Sequence, residues 1–414
     1  MVDYTPWPEH IVFPVENPIL SKWVRWSVSN NLCYQPECTV STILCGAAAV
    51  MGQMYLISNE FCNIYNVNLI NTGRGKDGVL RGMTDMLCAA GYESMIGASA
   101  FSSGPGVLNE LMKRSGRIIW PIDELAPDLR AIVSSSAASH KEEILSYLLS
   151  MSSRKKFVKE LAKSHFEITD PCPIVAANCQ PQLFWSTINS EKMLTSGFAN
   201  RFLITMGDNY ARPGQYLEYT PPDEDVVNYL KLFDTSDYGA GTVNAIEGNR
   251  KVIILDDEAK EYWAFKSTMN FDIIDDAQRL SNDIPARIMI RDTFKAMKLA
   301  AIYAWLKDYN NPVIDISAAK WAWYIINNTS ESIIKAMGEH SYASKDEQDT
   351  KQLLTLVGAR VKGIDVKELR TKCASFALKF DGILNHCLST RQVNTASVEG
   401  RSGKKLMVTI VRES

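Results

Sequence analysis

The run Val67-Asn68-Leu69-Ile70-Asn71-Thr72-Gly73-Arg74-Gly75-Lys76 limits the fold more than any other stretch of this 414-residue chain. Residues 67–70 read as a short strand. A Gly-rich turn follows, and then Val79, Leu80, Met83, Met86 and Leu87 recur at helical spacing. Strand, glycine turn and helix in that order turn backbone N–H groups and a positive helix end toward an anion, and Lys76 adds a full charge. The turn fits a phosphate, with Lys76 beside the β- and γ-phosphates. It departs from G-x-x-x-x-G-K-[ST] at two positions. Ile70 stands where the first glycine belongs, and Asp77 where a Mg²⁺-binding hydroxyl belongs. The plainer alternative is a left-handed glycine turn with no ligand.

Further strand-like runs occur at 118–122, 174–177 and 202–205, with helical stretches between them such as 107–113 and 142–151. Strands alternating with helices predict an α/β fold with a mostly parallel, doubly covered sheet. The 118–122 run ends in Asp123 and Glu124. In a phosphate-loop ATPase the first of two such carboxylates holds Mg²⁺ and the second polarises the attacking water. Pro121 is unusual there, because a central strand cannot spare an N–H. A rival pair, Asp256 to Glu258, runs straight into a helical segment, where Asp256 is expected to act as a cap.

Four more features belong with these. Asn178 ends the 174–177 strand, where a polar tip can orient the lytic water or simply be a turn residue. Arg201, between a helical segment and the 202–205 strand, is placed to reach a neighbouring subunit's γ-phosphate; a surface salt bridge is the alternative. Arg291 opens a helix predicted over 288–307, with Lys295 and Lys298 on nearby turns. The cluster Arg154, Lys155, Lys156, Lys159 and Lys163 suits a nucleic-acid backbone. Its i, i+4, i+8 spacing equally suits a solvated helix face.

The net charge of −3 hides an asymmetry. Residues 351–414 carry 12 Lys+Arg against 5 Asp+Glu, while residues 1–350 carry 32 against 42. A basic tail on an acidic body points first to nucleic acid. That tail reads as three helices (351–360, 366–373 with Asp365 as cap, and 376–389) and two strands (393–398 and 406–411). This is the order of a winged helix. Its turn, 400–405, carries Arg401, Lys404 and Lys405. A protein-docking role for the segment is the alternative.

An apolar share of 46% with 22% charged residues excludes a disordered chain. The longest apolar stretch, 42–57, is broken by Gly46, Gly52 and Gln53, so no membrane span is expected. The start MVDYTPWPEH shows no secretion signal, which predicts a cytoplasmic protein. Nine cysteines without CxxC pairs predict reduced, mostly buried thiols.

In order and phrasing, LINTGRGKD, SSGPGVLNELMKRSGRIIWPIDE, PIVAANCQP and SGFANRF resemble an AAA+ ATPase. More narrowly, they resemble a domain-of-unknown-function family of phage and plasmid replication ATPases, often fused to primases. The resemblance covers about residues 15–335. SGFANRF and 291–299 are also similar to the arginine finger and second sensor of minichromosome-maintenance-type helicases.

The resemblance implies a P-loop AAA+ core over 61–337 with a helical lid, preceded by an N-terminal helical region, 1–60. A linker, 338–350, and a winged helix, 351–414, follow. It implies ATP and Mg²⁺ as cofactors. Thr72, Gly73, Arg74, Gly75, Lys76, Asp77 and Arg291 would bind ATP, Asp123 and Asp77 the metal, and Asp123, Glu124, Asn178 and Arg201 would be catalytic. Lys155, Lys156, Lys159, Lys163, Arg401, Lys404 and Lys405 would contact DNA. The expected activity is an ATP-dependent DNA helicase, a hexameric ring of a phage or mobile-element replication system with a primase as partner. The alternative is an ATP-switched initiator or helicase loader with little turnover. A non-catalytic adaptor is disfavoured by Lys76, Asp123 and Glu124.

Overall fold

The structure is a computed structural model. It describes residues 5–133, 139–153, 156–161, 164–188, 196–209, 218–233, 250–280, 283–340, 345–360, 363–374, 379–400 and 403–411. The chain divides into two compact units, Met1–Glu339 and His340–Ser414.

The first unit is mixed α/β around four parallel strands, in the order Arg117–Ile122, Cys172–Cys179, Tyr65–Leu69, Phe202–Met206. Every residue of Tyr65–Leu69 and Cys172–Cys179 is buried, as expected where both faces of a parallel sheet are covered. Val67, Leu69, Val175 and Ala177 face a core shared with helices Gly104–Lys113, Ser139–Met151 and Pro181–Ile188. Ile174, Ala176 and Leu203 face a second core, built around helix Pro36–Met51. All sixteen residues of that helix are buried. It is rich in alanine and other small residues, which suits a helix enclosed on all sides.

Residues 5–60 are therefore part of the same body as the sheet. Their last part is not helical: Tyr55–Ile57 pairs with Glu60–Phe61 and with Lys251–Val252. Pro121 is accommodated because its strand ends the row of four. Beyond it, among the described residues, only Ile96 bridges that strand, at Ile119.

One expectation is corrected here. The helix predicted over 288–307 is broken: Asp283–Met289 ends, and Asp292–Lys307 begins with Arg291 as its N-cap. The second piece is not amphipathic, since Lys298 to Leu306 are all buried. From Lys298 to Leu306 it is enclosed on every side, while Phe294 near its start is exposed. Of the basic cluster, the described residues Lys156 and Lys159 lie on a strand, not on the helix face that the spacing allowed as one alternative. Lys156–Leu161 and Ser164–Thr169 form an antiparallel hairpin, which puts successive side chains on opposite faces. Asp256 caps helix Asp257–Arg279, accepting from Ala259 N at 2.8 Å.

The expected linker is largely helical: Ile316–His340 runs into it, and Lys345–Gly358 starts within it. In the second unit, Asp365 caps Val366–Lys372 through Lys367 N at 2.8 Å. Helix Phe380–Ser389 follows. Strands Val393–Gly400 and Gly403–Ile410 pair along their length, and Ile364–Asp365 adds to the second. Leu353, Leu369, Phe380, Ile383 and Val408 build its own core. Among the described residues, no helix is long and apolar enough to cross a membrane. All nine cysteines are free, and only Cys88 is partly exposed.

Candidate functional site

The Gly-rich turn leaves the end of strand Tyr65–Leu69, and helix Lys76–Ala89 starts directly after it. Gly73 and Gly75 have φ of +75° and +81°, a region that disfavours a Cβ. Gly75 is also crowded: a Cβ there would lie 2.8 Å from Asn31 Oδ1 and from Cys33 Cβ. The turn is tied down from outside. Asn31 Nδ2 donates to the Gly75 carbonyl at 3.0 Å and Gln35 Nε2 to the Arg74 carbonyl at 3.1 Å. Asn31 and Gln35 belong to the segment between helices Pro18–Ser29 and Pro36–Met51. No motif marks them in the sequence.

Strand Arg117–Ile122 ends at the same edge of the sheet. It delivers Asp123 and Glu124 to Lys76. The Lys76 Nζ lies 3.4 Å from Asp123 Oδ2 and 3.6 Å from Glu124 Oε2, and donates to the Asp123 carbonyl at 3.3 Å. Lys76 is 17% exposed, Glu124 24% and Asp123 55%. Asp123 thus faces solvent while Glu124 is sheltered. Glu124 Oε1 accepts from Ala126 N at 3.3 Å and Oε2 from Gln180 Nε2 at 3.5 Å. Sequence proximity alone would not have brought Lys76 and this pair together; strand order does. The rival acids, Asp256 to Glu258, lie at a helix start as cap and first turn.

Thr72 and Gly73 are exposed and Arg74 is half-buried. Asp77 is exposed in the first helical turn, where a carboxylate complements the helix dipole. Two carboxylates beside a lysine suit Mg²⁺ carried in with phosphates, because that ion keeps waters and needs few protein ligands. Among the described residues, no group of three or more His, Cys, Asp or Glu is gathered as a self-sufficient metal site.

Asn178 differs from expectation. It is fully buried, and its Nδ2 donates to the Lys76 carbonyl at 2.9 Å while its Oδ1 accepts from Asn68 Nδ2 at 3.2 Å. Its amide holds the turn rather than projecting toward a water.

Arg201 and Arg291 come together elsewhere. Both line a partly open pocket with Asn63, Tyr65, Asn200 and Phe294. Phe202 pairs with Tyr65, the first residue of the central strand, whereas the glycine turn follows its last. At a rise of ~3.3 Å per residue, the arginines sit ~13 Å or more from the turn, at the opposite end of the sheet. Arg201 Nη1 donates to the Gly197 carbonyl at 3.2 Å and to Asn200 Oδ1 at 3.4 Å; its Nε is buried without a partner among the described residues. Burial first, then the Arg291 charge, lowers its pKa. Lys295 and Lys298, also at this pocket, are matched by Asp292 at 2.8 Å and Glu60 at 3.5 Å. Lys298 further donates to Asn63 Oδ1 at 2.9 Å. Among the described residues, neither Arg201 nor Arg291 has a carboxylate within ion-pair distance.

The expected DNA contacts are scattered. Lys155, Lys163 and Arg401 lie outside the described residues. Lys156 pairs with Glu167 at 2.6 Å, and Lys159 Nζ lies 5.5 Å from the Tyr147 ring centre. Lys404 and Lys405 lie within strand Gly403–Ile410, opposite Glu399 and Val398, rather than in the turn. Lys405 is exposed.

No protein-family model matches this chain, and no curated protein matches it.

Proposed function

We propose that this chain is an ATP hydrolase of the AAA+ kind that works on DNA as a closed ring, within a phage or mobile-element replication system. The observation that carries the reading is the meeting of Lys76 with Asp123 and Glu124 at the carboxyl end of a parallel sheet, over a positive-φ glycine turn. Ligands of open α/β sheets bind at that end. Lys76 and the turn's N–H groups would hold the β- and γ-phosphates. Bound Mg²⁺ would supply charge neutralisation there, held on the Asp123 side. Glu124, sheltered and hydrogen-bonded, would take the proton of the attacking water. Arg201 and Arg291, far from Lys76 in their own subunit, would act on the nucleotide of a neighbour, and this requires a ring or filament.

The second unit, by its element order and its positive charge, we read as a winged helix contacting DNA phosphates, with Lys405 exposed toward that task. Primase would be a partner of the assembly, and the host cytoplasm its place of action.

A second reading, an ATP-switched initiator or loader, is favoured by Asn178. Its amide is committed to the turn and is not left to aim water, so turnover would be slow. ATP hydrolysis with and without single-stranded DNA separates the readings. Strong stimulation is expected for the translocase. Tight binding with little turnover would favour the switch, and no nucleotide binding would overturn both. Removing 351–414 should weaken DNA binding and flatten its salt dependence while DNA-free hydrolysis survives.

A further inference from the structure

Three polar residues share one register row across the sheet. Asn68, in the central strand, sits opposite Asn178 on one side and Thr205 on the other. All three are buried, as is Asn66 two residues earlier on the same face. Ile174, Ala176 and Leu203 on that face are apolar, as a doubly covered sheet requires. An amide in such a place is disfavoured unless it is bonded.

These amides are bonded, and in a chain. Thr205 Oγ1 donates to Asn66 Oδ1 at 3.5 Å, and Asn66 Nδ2 to Asn68 Oδ1 at 2.9 Å. Asn68 Nδ2 donates to Thr42 Oγ1 at 2.8 Å and to Asn178 Oδ1 at 3.2 Å. Asn178 Nδ2 then donates to the Lys76 carbonyl at 2.9 Å. Apolar side chains would fill this space without needing partners. What the chain adds is a fixed hold on a single atom, the carbonyl that opens the first turn of helix Lys76–Ala89.

We infer that Asn68 is a positioning residue for the Lys76 turn: it orients Asn178, and Asn178 holds the Lys76 carbonyl and with it the direction of the lysine and of the N–H groups beside it. Without the Asn68 donor, Asn178 Oδ1 is unpaired in the core. The amide is then free to turn toward another partner, and the carbonyl loses its hold. The effect on nucleotide affinity rests on the reading of this turn as a phosphate cradle; the effect on the turn itself does not.

The test compares Asn68→Leu with Thr42→Val in the full chain. Both remove a buried hydrogen bond of Asn68, but only the first breaks the link to Asn178. Backbone hydrogen exchange over residues 73–80 is measured without nucleotide, and the Kd of a non-hydrolysable ATP analogue with Mg²⁺ is measured beside it. Asn68→Leu is expected to speed exchange in the turn and raise the Kd about tenfold, the scale of one buried hydrogen bond. Thr42→Val should leave both near the parent values even where it lowers Tm. Asn178→Leu should match Asn68→Leu, and the double variant should be no worse than either, since both cut one chain. A folded Asn68→Leu with unchanged exchange and affinity, or effects that add in full, would overturn the inference. Should Asn68→Leu not fold, Asn68→Ala takes its place, because it too leaves no side-chain donor for Asn178 Oδ1. Failure of the parent protein to bind the analogue would remove the nucleotide reading, and the exchange measurement would still decide the role of Asn68.

Discussion

The two ends of the parallel sheet are opposites in charge balance. At the carboxyl end, Lys76 lies between Asp123 and Glu124, so its charge is matched from within, with one carboxylate in excess. At the amino end, Arg201 and Arg291 stand together with no carboxylate against them among the described residues. The lysines beside them are paired. A group that is already matched can wait for its ligand at little cost. Two adjacent guanidinia repel, and burial raises the cost further, which the lowered pKa of Arg201 reflects. An arrangement of that kind calls for an anion supplied from outside. Since one molecule carries both ends and they point apart, the head-to-tail association proposed above would let the cationic end of one subunit meet the Lys76 end of the next; such heterologous contacts give rings where the rotation closes and filaments where it does not.

The contrast is broken most severely at Lys76. Lys76→Ala should lower affinity for MgATP by about a hundredfold, since a charge-assisted hydrogen bond and a full charge are lost together. Isothermal titration checks it; unchanged affinity would mean that the turn is not a phosphate cradle.

Glu124→Gln should slow hydrolysis by about a hundredfold or more while ATP still binds, because the base is lost and the cradle is not. Glu258→Gln should hydrolyse normally, as its carboxylate belongs to a helix start. The reverse outcome would move the catalytic pair to the second acidic cluster.

The amino end is probed by Arg201→Ala. Hydrolysis by the assembly should fall by up to about a thousandfold with ATP affinity kept, if the arginine completes a neighbour's site. Mixing these subunits with Glu124→Gln subunits should restore part of the activity at mixed interfaces. Full-rate hydrolysis by a monomer would show that the two ends work independently.

The smallest effect is expected on hairpin 156–169. A hydrogen bond from His165 to Glu160 raises the histidine pKa above 6.5. The stabilisation is therefore present below pH 6.5 and is lost as pH rises through the folded value. NMR titration should show a raised pKa that Glu160→Gln brings back toward 6.5. An unmoved titration in that variant would disprove the pairing.

Much of this was legible in the chain. The strand, glycine turn and helix around Lys76, the Asp123-Glu124 strand end, the caps Asp256 and Asp365, and the basic two-stranded tail are local signals. Each is set by φ preferences, side-chain capping or periodicity within ten or so residues. The hairpin was not legible for the same reason. Lys155, Lys159 and Lys163 follow a helical repeat, while the alternation that matters, with Phe157 inside and Val158 outside, is shorter and weaker. Its strands are stabilised by each other, and no single stretch records that. The break at Arg291 was hidden too, because apolar residues continue on both sides of it and the burial of every residue from Lys298 to Leu306 replaces the amphipathic stripe.

By itself, then, the sequence determined the elements and the chemistry that each brings: a lysine on a glycine turn, acids at a strand end, an arginine before a strand, asparagines inside one. Only the tertiary structure decided which of these meet. Arg201 and Arg291 are ninety residues apart and share a pocket, while Lys76 and Asp123 meet because their strands end at the same edge. Asn68 looks like a flaw in an apolar strand until Asn178 and Thr205 are beside it. Strand order and register are set by backbone hydrogen bonds between distant segments and by burial against helices from elsewhere in the chain. Those bonds are blind to side-chain identity, so no local pattern announces the neighbours they create.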